Sequence, residues 1–211
     1  MPYSVLVTGG IGGGKSTVCR YLERRGVPVY YSDTRTKALY TKDAMLLDSL
    51  ERAFGKSLRD AQGNFSSKAL ADIVFSSEDA MRECERIVHP AVLADYLAWR
   101  SSFDDFSDWC GYCGNIPFVC LESAIALDKP LFDKSYDSSV FVTADIDIRL
   151  ERVKKRDNAD VETIRRRIQM QADRSADADY VIWNNTSEEE LEIEIDRVFE
   201  QLIDKFRDIV K

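Results

Sequence analysis

Thr8-Gly9-Gly10-Ile11-Gly12-Gly13-Gly14-Lys15-Ser16-Thr17 follows directly on the apolar run Tyr3-Ser4-Val5-Leu6-Val7. Gly9-x-x-x-x-Gly14-Lys15-Ser16 is the Walker A spacing, and it stands where that pattern must stand, after a strand-like run and before a helix-like one at residues 15–25. The physical logic is strict. Glycines let the backbone curl so that successive N–H groups point inward, and the helix N-terminus adds its partial positive charge. Gly10, Gly12, Gly13 and Gly14 therefore make a cradle for the phosphates of ATP, and Lys15 reaches the β- and γ-phosphates. The Ser16 hydroxyl is placed to bind Mg²⁺, and Thr17 adds a hydroxyl at the α-phosphate. The complete pattern in its required context argues against a glycine-rich turn that merely permits close packing. It fixes the ligand as a nucleoside triphosphate but not the reaction, because switches, motors, kinases and transport ATPases share it.

Outward from the loop, further short apolar runs rich in β-branched and aromatic residues stand at 27–31, 116–121, 140–143 and 180–183. Such runs read as parallel strands buried on both faces. Helix-like stretches separate them, among them 145–156 and 160–171, both strongly charged. A last helix over 187–210 puts Leu191, Ile195, Val198, Leu202 and Phe206 on one stripe, with Ser187 and Glu190 as a capping box. Alternating strands and helices predict an α/β fold with a five-stranded parallel sheet. The stretch from 33 to 115 is far longer than a simple crossover and mostly helical in pattern. It is expected to form a helical lobe over the carboxyl edge of the sheet, where open α/β sheets bind their ligands.

Composition narrows the partners. The 211 residues, 45% of them apolar, suffice for one core with a small appended lobe. With 29 basic against 37 acidic residues the net charge is −8, which speaks against nucleic acid as the principal partner. No apolar run approaches membrane-spanning length, and the chain enters a strand at once instead of opening with a signal peptide. A soluble cytoplasmic protein acting as a monomer is expected. The five cysteines are odd in number and irregularly spaced, which does not suit a disulfide framework. Cys110 and Cys113 have redox-motif spacing, but they fall in a glycine-containing turn leading into a strand and not at a helix N-terminus. A zinc role lacks a second ligand pair.

The acceptor has to be read elsewhere. A base-reading Asn-Lys-x-Asp motif, expected of a GTPase, is missing, and size and layout favour a small-molecule kinase. Val27-Pro28-Val29-Tyr30-Tyr31-Ser32-Asp33 ends an apolar run in an acidic residue. Asp33, at the end of the strand next to the phosphate loop, points into the cleft near the γ-phosphate or else caps the helix that follows.

At this point the chain resembles dephospho-CoA kinase. The glycine loop, Asp33, Phe54-Gly55, Ile87-Val88-His89-Pro90, Leu121-Glu122, Arg152 with Arg156, and Ala178-Asp179-Tyr180-Val181-Ile182-Trp183-Asn184 fall in the order and approximate spacing of that family. The resemblance runs from about Tyr3 to the final helix. It implies a P-loop kinase fold that phosphorylates the ribose 3′-hydroxyl of dephospho-CoA with Mg²⁺ and ATP, giving CoA and ADP. As one domain, it would comprise a core over about 1–33, 116–144 and 178–211, an acceptor lobe over about 34–115 and a lid over about 145–177. Asp33 would bind the acceptor hydroxyl, and His89, the single histidine, would lie near the acceptor unless it is a buried residue capping a helix that begins at Pro90. Glu122 would hold a Mg²⁺-bound water or serve structure alone. Arg152 and Arg156, one helical turn apart, would close over ATP, or else form a solvated basic face with Glu151, Lys154 and Lys155 interleaved. Asn184 would read the adenine edge. Departures from the family pattern are Gly13 for serine, Ser67 for arginine with Lys68 beside it, Arg149 for glutamine, Lys37 for arginine, and a shortened stretch at 172–177. Lys37 keeps charge at an acceptor-binding position but loses the bidentate fork. Two alternatives stand beside this reading: another small-molecule kinase of the same fold, or an ATP-binding sensor without catalysis.

Overall fold

The computed structural model describes residues 1–104, 117–157, 160–171 and 173–210. In chain order its elements are β1 (Tyr3–Thr8), α1 (Lys15–Arg24), β2 (Val29–Tyr31), α2 (Ser32–Lys42), α3 (Ala44–Phe54), α4 (Ser67–Val74) and α5 (Glu78–Ser101). Then come β3 (Phe118–Glu122), β4 (Ser138–Thr143), α6 (Ile146–Asp157), α7 (Val161–Met170), β5 (Tyr180–Trp183) and α8 (Glu188–Val210). They fall into two compact units, one of Met1–Tyr30 with the chain from Arg100 onward, the other Tyr31–Trp99.

The first unit is built on a five-stranded sheet of order β2-β3-β1-β4-β5. β1 runs parallel to both β3 and β4, and β4 parallel to β5. Every residue of β3 and β4 is buried, which is why these strands read as apolar runs without alternation. The sheet order corrects one expectation: β3 lies between β2 and β1, so the strand leading to Asp33 is not the neighbour of the loop strand. β2 starts later than its apolar run, since Pro28 has no N–H to give a ladder; its carbonyl instead accepts from Cys120 N at 2.9 Å. β4 starts earlier, at two serines. Asp179 accepts from Ser138 Oγ (2.9 Å), Ser139 N (2.8 Å) and Ser139 Oγ (3.1 Å), so these polar residues are buried and satisfied. α8 packs its predicted stripe fully, with Leu191, Ile195, Val198, Leu202 and Phe206 all at most 2% exposed. Ser187 Oγ accepts from Glu190 N at its start. At the opposite end of the sheet, buried Arg100 donates to Pro2 O, Ser135 O and Asp137 Oδ2, and Asp137 also accepts from Ser4 N.

The second unit has its own core of Leu46, Leu47, Leu50, Leu58, Leu70, Cys84, Val88 and Val92. Asp43 caps α3 and Ser66 caps α4, each accepting from the N–H three residues on. Arg35 makes a bidentate pair with Asp95, at 2.8 and 2.7 Å, tying α2 to α5. α5 is one continuous 24-residue helix with Pro90 inside it. Among the described residues no helix is long and apolar enough to cross a membrane. Cys19, Cys84 and Cys120 are buried and form no disulfide among the described residues, while the Cys110–Cys113 pair lies outside them.

Candidate functional site

The phosphate loop leaves β1 at Thr8 and enters α1 at Lys15. Gly14, the residue before α1, sits at φ +108°, and a Cβ there would overlap Asn184 Nδ2. Both facts require glycine. Lys15 Nζ folds back over the loop, donating to Gly9 O at 2.7 Å and Gly10 O at 3.4 Å. Ser16 is exposed at the helix start, and Thr17 Oγ1 accepts from Arg20 at 3.3 Å. Glu122 closes β3 in register with Val7 and is only 9% exposed. Burial, and after it the charge of Glu122, hold the thiol of Cys19 well above its ordinary range. α1 packs on β3, the strand that Glu122 ends.

Two helices clasp the loop. Asn184, 4% exposed, follows β5 and donates from Nδ2 to Gly13 O at 3.1 Å. Its Oδ1 accepts from Arg152 Nη2 on α6 at 3.1 Å. One turn earlier, Arg149 Nε donates to Ile11 O at 2.9 Å. Just past α7, Gln171 Oε1 accepts from Ile11 N at 2.7 Å. Between these two bonds the Ile11 side chain packs on Leu150, Val153, Ile164 and Ile168, the small core shared by α6 and α7. A cavity of about 360 Å³ opens beside the loop, lined in part by Gly9, Gly10, Asp128, Gln171 and Arg174. Arg174 reaches Asp128 at 3.2 Å.

The site residues predicted from sequence divide accordingly. Gly10, Gly12, Gly13, Gly14, Lys15, Ser16 and Thr17 form the loop; Arg152 and Asn184 are joined to it; Glu122 stands at the adjacent strand end. Arg156 does not join them, because its guanidinium is paired with Asp157 at 2.6 Å and largely exposed. Asp33, Lys37 and His89 belong to the second unit. The position before α2 is held by Tyr31 with no side-chain cap, and Asp33 is an exposed residue inside the first turn. It is therefore not a helix cap. His89 is half-buried in mid-helix, and since α5 runs through Pro90 no helix begins there for it to cap. Sequence reasoning missed Ile11 and Gln171. Ile11 stands at a position where the Walker A pattern specifies no residue, and a glutamine at a helix end carries no signal of the partner it will find 160 residues away.

A family model described as dephospho-CoA kinase matches residues 3–190. The chain belongs to the dephospho-CoA kinase family. Dephospho-CoA kinase of Chlorobaculum tepidum is 33% identical over 210 residues, covering 96% of both chains. That of Porphyromonas gingivalis is 35% identical over 182 residues, covering 84% of both. Among solved structures, a Thermus thermophilus protein superposes with a TM-score of 0.73 at 25% identity, covering 97% of each chain. The fold is that of P-loop kinases, and membership of the family makes the chain an ATP-using phosphotransferase.

Among the described residues no cluster of three or more His, Cys, Asp or Glu side chains is arranged to hold a metal ion. The donor set at the loop suits Mg²⁺ all the same, because that ion keeps several waters and takes few protein ligands beside the nucleotide phosphates. The exposed Ser16 hydroxyl at the start of α1 and the buried Glu122 at the end of the strand beside β1 are such a set.

Proposed function

We propose that this chain transfers the γ-phosphoryl group of ATP to the ribose 3′-hydroxyl of dephospho-CoA, as its family does, through the residues singled out above. The observation that carries the reading is the intact Walker A loop inside a match spanning residues 3–190. The bond that forms joins the 3′-oxygen to the γ-phosphorus; the bond that breaks is that phosphorus to the β–γ bridging oxygen, and ADP leaves.

In a loose phosphoryl-transfer transition state the protein's work is positioning and charge stabilisation. Phosphate oxygens would replace the Gly9 and Gly10 carbonyls now held by Lys15 Nζ, so that its charge follows the β- and γ-oxygens. Gly10, Gly12, Gly13 and Gly14 supply backbone donors, and Thr17 reaches the α-phosphate. The Ser16 hydroxyl would hold Mg²⁺, with Glu122 fixing a water of its shell; the ion supplies charge neutralisation at the β- and γ-oxygens. Arg152 and Arg156 belong to a lid over about 145–177, and Asn184, expected from sequence at the adenine edge, instead ties Arg152 to the loop carbonyl of Gly13. The lobe over about 34–115 binds the acceptor through Asp33, Lys37 and His89. Asp33 orients the 3′-hydroxyl and receives its proton as the bond to phosphorus forms. The working unit is a cytoplasmic monomer, with neither nucleic acid nor membrane as partner.

The test is ADP release with dephospho-CoA set against a panel of nucleosides, sugars and shikimate, with the phosphorylated position read by phosphorus NMR. Turnover confined to dephospho-CoA, with a new monoester at the 3′ position, is expected. Faster turnover of any other acceptor, or ADP release indifferent to acceptor, overturns the assignment.

A further inference from the structure

Arg149 stands on α6 where the family pattern has glutamine, and among the described residues its guanidinium makes one hydrogen bond, from Nε to Ile11 O at 2.9 Å. A glutamine amide supplies that donor equally well. What arginine adds is a charge and further N–H groups, and one of them, Nη2, is buried without a hydrogen-bond partner among the described residues. This nitrogen lies directly over Gly10, in the space a Cβ on that residue would fill. Asp173 acts on Arg149 through its charge but makes no hydrogen bond to it among the described residues, and its Oδ1 accepts from Ser175 N at 2.9 Å. Gln171 Oε1, the other acceptor close to Gly10, is taken by Ile11 N. Burying a guanidinium donor with nothing to bind is costly, so a donor of this kind calls for a partner from outside the chain, a water, an ion or a ligand. Burial pulls the pKa of Arg149 down, Asp173 acting the other way, yet an arginine stays charged.

The ligand's nature follows from position. Gly10 O and Gly9 O are the carbonyls that Lys15 Nζ occupies, so Arg149 Nη2 and Lys15 Nζ converge on the same end of the loop. A Walker A lysine serves the β- and γ-phosphates. We propose that Arg149 is a second cationic phosphate ligand, whose Nη2 donates to a terminal phosphate oxygen of the bound nucleotide while its Nε holds α6 to the loop. This rests on the ATP-dependent reading above. It makes α6 a reader of the phosphate chain's length: a nucleoside triphosphate satisfies the orphan donor, and a monophosphate does not reach it.

Arg149→Gln isolates the added charge because it keeps a donor for Ile11 O. Binding of ATP, ADP and AMP, each with Mg²⁺, is measured by calorimetry at two salt concentrations, beside the melting temperature of the nucleotide-free protein. Arg149→Gln should weaken ATP roughly tenfold or more, the scale of one charge-assisted hydrogen bond. ADP should lose less, AMP nothing, and the salt dependence of ATP binding should flatten. The nucleotide-free variant should melt at the same temperature or higher, since an uncompensated buried charge has been removed. Arg149→Lys, retaining charge without the fork, should fall between. Wild-type ATP affinity in Arg149→Gln overturns the proposal, as does an equal loss for all three nucleotides, which would mean a distorted loop. A wild-type chain that binds none of them overturns the proposed function as well. Tight ATP binding sensitive to Arg149, without turnover of dephospho-CoA, overturns that function alone.

Discussion

Replacing Asn184 with alanine separates two uses of one amide. In the structure Nδ2 holds Gly13 O and Oδ1 holds Arg152, so both ends of the side chain are spent on building the loop. Alanine removes a neutral hydrogen bond worth about 1 kcal/mol and a charged one worth about 1.5–3 kcal/mol. Among the described residues the Arg152 guanidinium has no other hydrogen bond, and its Nη1 is already buried without a partner. Its side chain is half-exposed and can swing toward water, recovering part of the charged contribution. Gly13 O has no such freedom. A net loss of about 2–3 kcal/mol follows, or roughly 5–10 °C in Tm for a chain of this size. A double-mutant cycle with Arg152→Ala should return a coupling of about 1–2 kcal/mol. Because the loop is loosened as a whole, ATP and GTP should weaken together. If Asn184 instead reads the adenine edge, the variant would keep its Tm within about 1 °C while losing its preference for ATP over GTP. That pair of results would refute the clasp.

Lys15→Ala removes the charge on the β- and γ-phosphates and should lower kcat by roughly two or more orders of magnitude with an unchanged circular dichroism spectrum; near-normal ADP release would sink the Walker A assignment. Asp33→Asn should lower kcat about 10²–10⁴-fold with little change in acceptor KM. Its Tm should not move, because Asp33 caps nothing; activity within a few-fold of wild type would remove it from the mechanism. Burial, with the Cys84 charge adding to it, pushes the Tyr40 hydroxyl up from 10.0 to about 12. Its folded pKa is raised, so the stability it contributes is fully present below pH 10 and is lost as pH climbs toward 12. Denaturant midpoints across that window should fall less steeply in Tyr40→Phe than in wild type. Identical slopes would place the loss elsewhere.

How much of this was legible in the sequence depends on the range of the interaction. The loop, α1, β5 and the apolar stripe of α8 are written in neighbouring residues, where periodicity and glycine spacing are local properties. β4 was read two residues short because its first turns of ladder are serines. What makes them strand residues is Asp179, 40 residues away, and a serine run carries no mark of the carboxylate that will meet it. Pro90 misled in the other direction. A proline suggests a boundary, yet the apolar face of α5 is buried against α3 and α4 through Cys84, Val88 and Val92 on both sides of it. Packing along that face outweighs one lost helical hydrogen bond, and propensity gave way.

The site shows the same division more sharply. The residue types needed for phosphate chemistry were all visible, since Lys15, Ser16 and the glycines act through their own backbone neighbourhood. The partners that hold them were not. Asn184 meets Gly13 across 171 positions, and Arg149 meets Ile11 across 138. An exposed-looking amide after a strand invites a ligand role because its donors have no local use. Once the sheet places β5 beside β4, and the chain beyond it beside the loop, the nearest unsatisfied group is a loop carbonyl, and the amide is taken. The guanidinium of Arg149 follows the same route but carries more donors than the loop can absorb. A side chain whose buried polar atoms all find protein partners, as in Asn184, is scaffolding. One left with a buried donor unspent is where chemistry enters from outside the chain, and that surplus shows only after the fold has allotted every other bond.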